Sequence, residues 1–105
     1  MDWAMNTQTV DIDLMCTVQG TATNDQGVVL YAVLKEHFLN NRKVRLSLHN
    51  ATPMASSFMN SSLGALIDEF GYVKVTGSLS LIQFTKAQAE DIKRYFERYK
   101  KFAAS

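Results

Sequence analysis

The sequence predicts an α/β domain in which helices pack on a largely parallel sheet. Three short segments show the strand-like alternation of apolar and polar residues, and a helix-forming segment follows each of them. This order is typical of layered α/β folds, because two parallel strands can be joined only by a long crossover, usually a helix. We expect a partly parallel sheet of four or five strands with about three helices.

Composition agrees with one folded domain and excludes several kinds of site. The chain has 105 residues, of which 47% are hydrophobic and 20% are charged. We expect residues 1–6 to form a poorly ordered N-terminal segment. A formal charge of +1 gives no overall attraction to nucleic acids or anionic membranes. One cysteine and two histidines exclude a zinc site with several thiolates or three imidazoles, so no metal or cofactor is expected.

The expected location is the cytoplasm, without a membrane partner. Asp2 stands where a signal peptide has basic residues, and no apolar stretch follows it. The longest apolar run, residues 28–34, is much shorter than the roughly 20 residues of a membrane span. A single cysteine also fits a reducing compartment.

The first strand and the first helix follow from patterns in the N-terminal part of the chain. Residues 8–18 alternate apolar side chains with threonine and aspartate, which predicts a strand with a bulge or turn at Met15. Two acidic side chains on its polar face are typical of an edge strand. A helix is predicted over about residues 25–40, capped by Asn24 or Asp25. It is apolar around most of its circumference, which indicates burial within the domain on several sides or at an interface.

The second strand and the second helix are predicted in the middle of the chain. Residues 44–49 alternate apolar and polar side chains, and we expect the apolar ones to be buried. Ser56 or Ser57 is expected to cap a helix that ends near Phe70, since Gly71 follows.

At 100° per residue, the second helix divides into two faces. The apolar face is expected in the core and contains Met59, Leu63, Leu66, Ile67 and Phe70. The opposite face is a stripe of small or polar residues, Ser57, Ser61, Gly64 and Asp68. A glycine inside a helix is unfavourable by roughly 0.5–1 kcal/mol relative to alanine. We interpret Gly64 as a point where a partner or this domain approaches closely, and favour a partner, so that a bulky residue there would leave the fold intact.

The C-terminal part contains a third strand and the last helix. A strand is predicted over residues 72–76, and residues 77–84 form either an extended segment or a helical turn. Thr85 and Gln88 match a capping box that begins a helix extending to about residue 102. Its buried stripe is predicted to contain Ala89, Ile92, Phe96 and Tyr99. Basic and aromatic residues also mix on this helix, a pattern that can bind nucleic acid, although charges of both signs favour an ordinary solvated face.

Three stretches in the middle of the chain carry a resemblance to a known family. They are the strand Val-Arg-Leu-Ser-Leu-His-Asn-Ala at residues 44–51, the helix start Met-Ala-Ser-Ser-Phe at residues 54–58, and Gly-Ala-Leu at residues 64–66. In this order and spacing they resemble the bacterial STAS-like domain family of unknown function, over about residues 18–100. The resemblance implies a STAS-like fold and a regulatory protein-interaction module.

The STAS domains proper include the anti-sigma factor antagonists, in which a partner kinase of the GHKL ATPase type phosphorylates a serine at the start of the second helix. Ser57 matches that serine by position, and Ser56 is its neighbour. This sequence has Ala55 and Phe58 where the antagonists have aspartate and glycine, and Ser47 where an aspartate is usual. The Ser-Phe pair is a feature of the STAS-like family.

Three functional classes remain. The favoured class is a regulatory module for a protein partner, a GHKL-type ATPase or kinase by resemblance, with a surface formed by Ser56, Ser57, Asn60, Ser61, Gly64 and Asp68. Ser57 and Ser56 are the candidate phosphorylation sites, and helix capping is the structural alternative for them. The second class is a small nucleic-acid-binding protein that uses the last helix. An enzyme is least favoured, because no acid–base or metal constellation can be assembled. A homodimer is left open.

Overall fold

A three-stranded parallel sheet is the framework of the fold. The structure is a computed structural model that describes the backbone of residues 8–104 and the side chains of residues 8–99. The expectation for residues 1–6 lies outside this range. The strands are β1 (Thr9–Asp13), β2 (Lys43–Ser47) and β3 (Leu79–Ile82), and they pair in the order β1-β2-β3. The α/β class is confirmed, with three strands in the described part of the chain rather than four or five.

Helices are more numerous than the sequence suggested. They are α1 (Leu14–Val18), α2 (Asn24–Leu39), α3 (Ser56–Met59), α4 (Ala65–Phe70), α5 (Tyr72–Ser78) and α6 (Lys86–Ala104). A π-helical turn over Asn60–Gly64 joins α3 to α4 without a break. Among residues 8–104, none of these helices combines the length and apolarity that crossing a membrane requires.

The two faces of the sheet differ in polarity. Strand register aligns two apolar rows, Val10 with Val44 and Leu79, and Ile12 with Leu46 and Leu81. On the central strand, Val44 and Leu46 are almost completely buried, as the alternation predicted. Asp11 and Arg45 form an ion pair of 2.9 Å on the other face, where both remain exposed. The core therefore lies between the apolar face and the helices.

The prediction for the end of the first strand is wrong. Strand β1 stops at Asp13, and α1 begins at the next residue. The Asp13 carboxylate accepts a hydrogen bond of 3.1 Å from the backbone N–H of Cys16, which is an N-cap interaction. The irregularity at Met15 is thus a short helix.

The predicted strand over residues 72–76 is also wrong. These residues belong to α5, in which Val75 is fully buried while Val73 is 82% exposed. A strand would place both valines on one face, whereas positions two apart lie on nearly opposite sides of a helix. The third strand is instead β3, within the segment for which the sequence left two alternatives.

Helix α2 has nearly the predicted bounds but a different cap and a narrower buried face. Thr23 is the N-cap, and it forms a reciprocal capping box with Gln26. The buried residues form one stripe, Gly27, Leu30, Leu34 and Phe38. The prediction that α2 is buried on several sides within the domain is therefore wrong, because Val28 and Val29 are about half exposed, at 48% and 45%.

Core predictions for the later helices are largely confirmed. Met59, Leu63, Leu66 and Ile67 are buried, and Phe70 is partly buried with its ring edge-on to Phe38. The capping box of α6 is present, since Thr85 Oγ1 accepts from the N–H of Gln88 at 3.1 Å and Gln88 Oε1 accepts from the N–H of Thr85 at 2.9 Å.

Candidate functional site

The predicted site lies where the chain leaves the central strand and begins α3. A buried threonine, Thr21, fixes the preceding loop: its hydroxyl lies 3.0 Å from the carbonyl oxygens of both Thr52 and Pro53. The N–H of Ala55 donates to the carbonyl of Thr21 at 2.9 Å. The starts of α2 and α3 are therefore held side by side.

The backbones of α2 and α3 also pack directly against each other. A Cβ placed on Gly27 would lie 2.5 Å from the carbonyl oxygen of Phe58 and 2.5 Å from Ser61 Oγ. Such distances are far below van der Waals contact, so only glycine permits α2 to approach α3 this closely. Sequence reasoning missed this role of Gly27.

Neither Ser56 nor Ser57 caps α3, so that prediction is wrong. The N-cap is Ala55, which has an extended backbone and no side chain able to accept a hydrogen bond. Ser56 and Ser57 are both exposed, and the Ser57 hydroxyl donates to the carbonyl of Ala22 at 3.3 Å. The first N–H groups of a helix have no intrahelical acceptor. The start of α3 thus presents two exposed hydroxyls beside uncapped backbone donors.

The π-helical turn changes the direction in which the later residues face. Hydrogen bonds of the i→i+5 type put an additional residue in the turn, which rotates the following residues by about 100° relative to an α-helix. Ser62 donates to the carbonyl of Phe58 at 2.7 Å, and Ser61 donates to that of Ser57. Residues before and after the turn consequently do not form one straight stripe.

The placement of Gly64 on an open face is wrong. Gly64 is buried, and a Cβ there would lie 2.5 Å from Tyr95 Oη and 2.6 Å from Tyr99 Oη. The close approach inferred from this glycine exists, but the approaching group belongs to α6 of the same domain. The expectation that a bulky residue at Gly64 leaves the fold intact is therefore wrong, because such a side chain would collide with Tyr95 and Tyr99.

The other predicted surface residues differ in their exposure to solvent. Asn60 and Asp68 are exposed, as are the two serines at the helix start, while Ser61 is partly buried against α2. The six residues therefore do not form one continuous surface in the described structure.

Tyr95 is the residue that the sequence analysis missed in the core. It is 3% exposed, and its hydroxyl lies 2.8 Å from Asn60 Oδ1 and 3.3 Å from Tyr99 Oη. Burial, followed by the hydrogen bond with Tyr99, raises the pKa of Tyr95 well above its ordinary value. Tyr95 lies three residues after Ile92, which belongs to the predicted buried stripe of the last helix. This spacing could have indicated that Tyr95 is buried, because residues three apart are neighbours on a helix surface.

The described part of α6 does not present the aromatic platform that single-stranded nucleic acid needs. Tyr95 is buried, and Phe96 and Tyr99 pack partly buried against the core. Arg98 stacks over the Tyr95 ring at 5.4 Å, and Arg94 lies 3.5 Å from Asp91. Base stacking requires exposed rings, so the aromatic part of the nucleic-acid pattern is accounted for by packing.

Other reactive side chains do not gather into a centre. Cys16 is exposed, and the neighbouring Asp13 carboxylate raises the pKa of its thiol, which favours the unreactive protonated form. Among the residues that the structure describes, no three His, Cys, Asp or Glu side chains are grouped to hold a metal ion.

A comparison with known protein families finds a match in the middle part of the chain. A family model described as "STAS-like domain of unknown function (DUF4325)" matches residues 26–89, which is more than half of the chain. The chain belongs to this STAS-like family. The match covers all six predicted surface residues of the STAS-like domain, as well as β2 and β3. No curated protein and no solved structure matches the chain.

Proposed function

We propose that this STAS-like domain is a non-enzymatic regulatory module that binds a protein partner through the start of α3, and that a partner kinase switches it by phosphorylating Ser57 or Ser56. The observation that supports the proposal is the pair of exposed serine hydroxyls at a helix start that neither serine caps. Helix capping therefore does not explain why serines stand at these two positions.

The position suits a phosphate group. Uncapped N–H groups and the positive end of the helix dipole both favour an anion at this point. A phosphoserine adds about −1.5 to −2 charges at neutral pH. The chain has a formal charge of only +1, so the modification would change the sign of its net charge.

Ser57 is the stronger candidate for a switch because its hydroxyl already makes a contact between two segments. It donates to the carbonyl of Ala22, just before α2. A phosphate on this oxygen removes the donor and places negative charge against a carbonyl oxygen. The contact between the starts of α2 and α3 would then loosen. Ser56 has no described hydrogen bond of this kind, so its phosphorylation would add charge without breaking the contact.

The proposed partner surface is centred on the exposed residues Ser56, Ser57 and Asn60. Asp68 is a separate exposed position further along the helix, and Ser61 lies partly buried behind this surface, against α2. Gly64 contributes indirectly, since it lets α6 pack against the π-helical turn and position Asn60. The partner class that the family resemblance implies is a GHKL-type ATPase or kinase.

Phosphate mapping tests the switch. The purified protein is incubated with ATP and a soluble extract of the source organism, and phosphorylated residues are located by mass spectrometry. We expect phosphate on Ser57 or Ser56, lost from the Ser56→Ala/Ser57→Ala double variant. A Ser80→Ala variant is the control, because Ser80 is exposed on β3 away from α3.

Partner binding is measured separately. Proteins captured from the same extract are identified and purified, and their affinities are compared for the wild type, Ser57→Asp and a charge-matched control, Thr9→Asp, on the exposed part of β1. We expect Ser57→Asp alone to change the affinity, by about tenfold or more, which corresponds to about 1.4 kcal/mol. Equal binding by all three proteins, together with no phosphate at either serine, would contradict the proposal.

A further inference from the structure

The two edges of the sheet are protected unequally. Within residues 8–104, β1 and β3 are the edge strands and β2 lies between them. Strand β1 carries Asp11 and Asp13, and such charges discourage pairing with another chain. Strand β3 has the sequence Leu-Ser-Leu-Ile, without a charge or a proline. The edge at β3 is short, but it lacks the charges and proline that discourage strand addition at many sheet edges.

Some backbone groups of β3 point away from β2, toward the open side of the sheet. The N–H of Leu48 donates to the carbonyl of Ile82 at 3.0 Å, so the Ile82 carbonyl points toward β2. Along an edge strand, backbone groups alternate between the neighbouring strand and the open side. The N–H and C=O of Leu81 consequently point away from β2, as does the C=O of Leu79. These groups can hydrogen-bond to an added strand.

An apolar groove of about 390 Å³ lies beside this edge, between α5, β3 and α6. It is lined by Tyr72, Thr76, Leu79, Leu81, Ala89, Ile92, Lys93, Phe96 and Glu97. Leu79 and Leu81 are only partly buried, unlike the corresponding residues of β2. An additional strand would cover this exposed end of the apolar row.

The charges at the groove are self-complementary. Lys93 and Glu97 line it together, four residues apart on α6, and both are exposed. In a dimer with two-fold symmetry, a contact between one residue of the first copy and another residue of the second copy occurs twice, with the roles of the two copies exchanged. Each Lys93 can therefore meet Glu97 of a second copy, twice in one dimer.

We propose that a second copy of this chain occupies this site, with the two β3 strands antiparallel across a two-fold axis and Leu81 opposite its own counterpart. The two three-stranded sheets then become one six-stranded sheet. Leu79 and Leu81 of each copy continue the apolar layer of the other. Paired Lys93 and Glu97 side chains close the groove and set the two-fold arrangement.

Charge exchange at the groove tests the proposal on the full chain. The oligomeric state is measured by sedimentation velocity over a protein concentration range of about 1 µM to about 1 mM, at low salt, where charge effects are largest. We expect a concentration-dependent dimer. Lys93→Glu and Glu97→Lys should each weaken it about tenfold or more, because each places like charges together twice. The double variant should restore it.

Two controls separate this interface from others. Lys43→Glu makes the same charge change on β2, at an exposed position outside the groove, and should leave the dimer unchanged. Hydrogen exchange of the Leu81 amide should slow as the protein concentration rises, and it should not do so in Lys93→Glu. Circular dichroism verifies that every variant is folded.

Several results would overturn the proposal. A monomer at every concentration excludes the dimer. A dimer that neither single variant weakens, or one with unchanged exchange at Leu81, places the interface elsewhere. If the monomer instead binds an extended peptide or an apolar small molecule in the groove, the occupant is not a second copy.

Discussion

Replacing Gly64 with alanine gives the sharpest test of how α6 packs on the π-helical turn. The added Cβ would lie 2.5 Å from Tyr95 Oη and 2.6 Å from Tyr99 Oη. Tyr95 is buried and its hydroxyl is hydrogen-bonded to Asn60, so its ring has little freedom to move. The substitution must therefore displace α6 or break this hydrogen bond.

Two opposing effects set the size of the change. Overpacking a well-filled core is unfavourable by about 1–3 kcal/mol. Alanine is a better helix former than glycine by about 1 kcal/mol. We therefore expect Gly64→Ala to lower the free energy of unfolding by about 1 kcal/mol, which is a fall in Tm of roughly 4–8 °C for a domain of this size.

Gly77 provides the matched control. It lies in α5 and is exposed, and a Cβ added to it would have no other atom within 4 Å. Gly77→Ala should raise the free energy of unfolding by up to about 1 kcal/mol, since only helix propensity changes. Urea unfolding of both variants separates the packing effect from the intrinsic effect of the substitution.

A second substitution identifies the cause of the effect. Tyr99→Phe removes one of the two oxygens that the new Cβ would meet, so it should recover at least about 0.5 kcal/mol when combined with Gly64→Ala. The packing explanation is wrong if Gly64→Ala stabilises the domain as much as Gly77→Ala does, or if Tyr99→Phe has the same effect in both backgrounds.

Three further predictions concern the same region. Gly27→Ala should destabilise the domain by about 1–3 kcal/mol, because the added Cβ meets the backbone carbonyl of Phe58, which cannot rotate away. An unchanged midpoint of urea unfolding would contradict this close contact between α2 and α3. Thr21→Val should lower stability by about 1–2 kcal/mol, because it leaves the loop carbonyls of Thr52 and Pro53 without the buried hydroxyl, whereas Thr21→Ser should retain most of it. Burial raises the pKa of Tyr95 in the folded state. Its contribution to the free energy of unfolding is therefore fully present below the unfolded pKa of about 10 and is lost as the pH rises further. Unfolding measured across this alkaline range should show a smaller loss of stability in Tyr95→Phe, and equal losses would contradict the assignment.

Local patterns were sufficient for much of the fold. Alternation identified β2 and its buried residues Val44 and Leu46, because a two-residue period must place one set of side chains on one face. The capping box at Thr85 and Gln88 located the start of α6, since both hydrogen bonds lie within four residues of sequence. The resemblance to the STAS-like family rested on the same middle part of the chain that the family model matches.

Helix α5 shows where local patterns fail. Val73 and Val75 satisfy a short alternation, yet the chain there is helical. Four or five residues are compatible with either period, and the choice depends on which of them find a core to enter. Val75 is buried in that core and Val73 is not, which only the packing of the whole chain could decide.

The α/β class, the bounds of the main helices and the small-residue character of the second helix could all be read from the sequence, because they depend on interactions between residues close along the chain. The direction in which that helix faces could not. Within the π-helical turn at Asn60–Gly64, Ser61 meets Gly27 of α2 and Gly64 meets Tyr95 of α6. These contacts join residues more than 30 positions apart. Whether an exposed stripe or an internal contact results depends on where distant elements pack, and a helical period cannot encode that position.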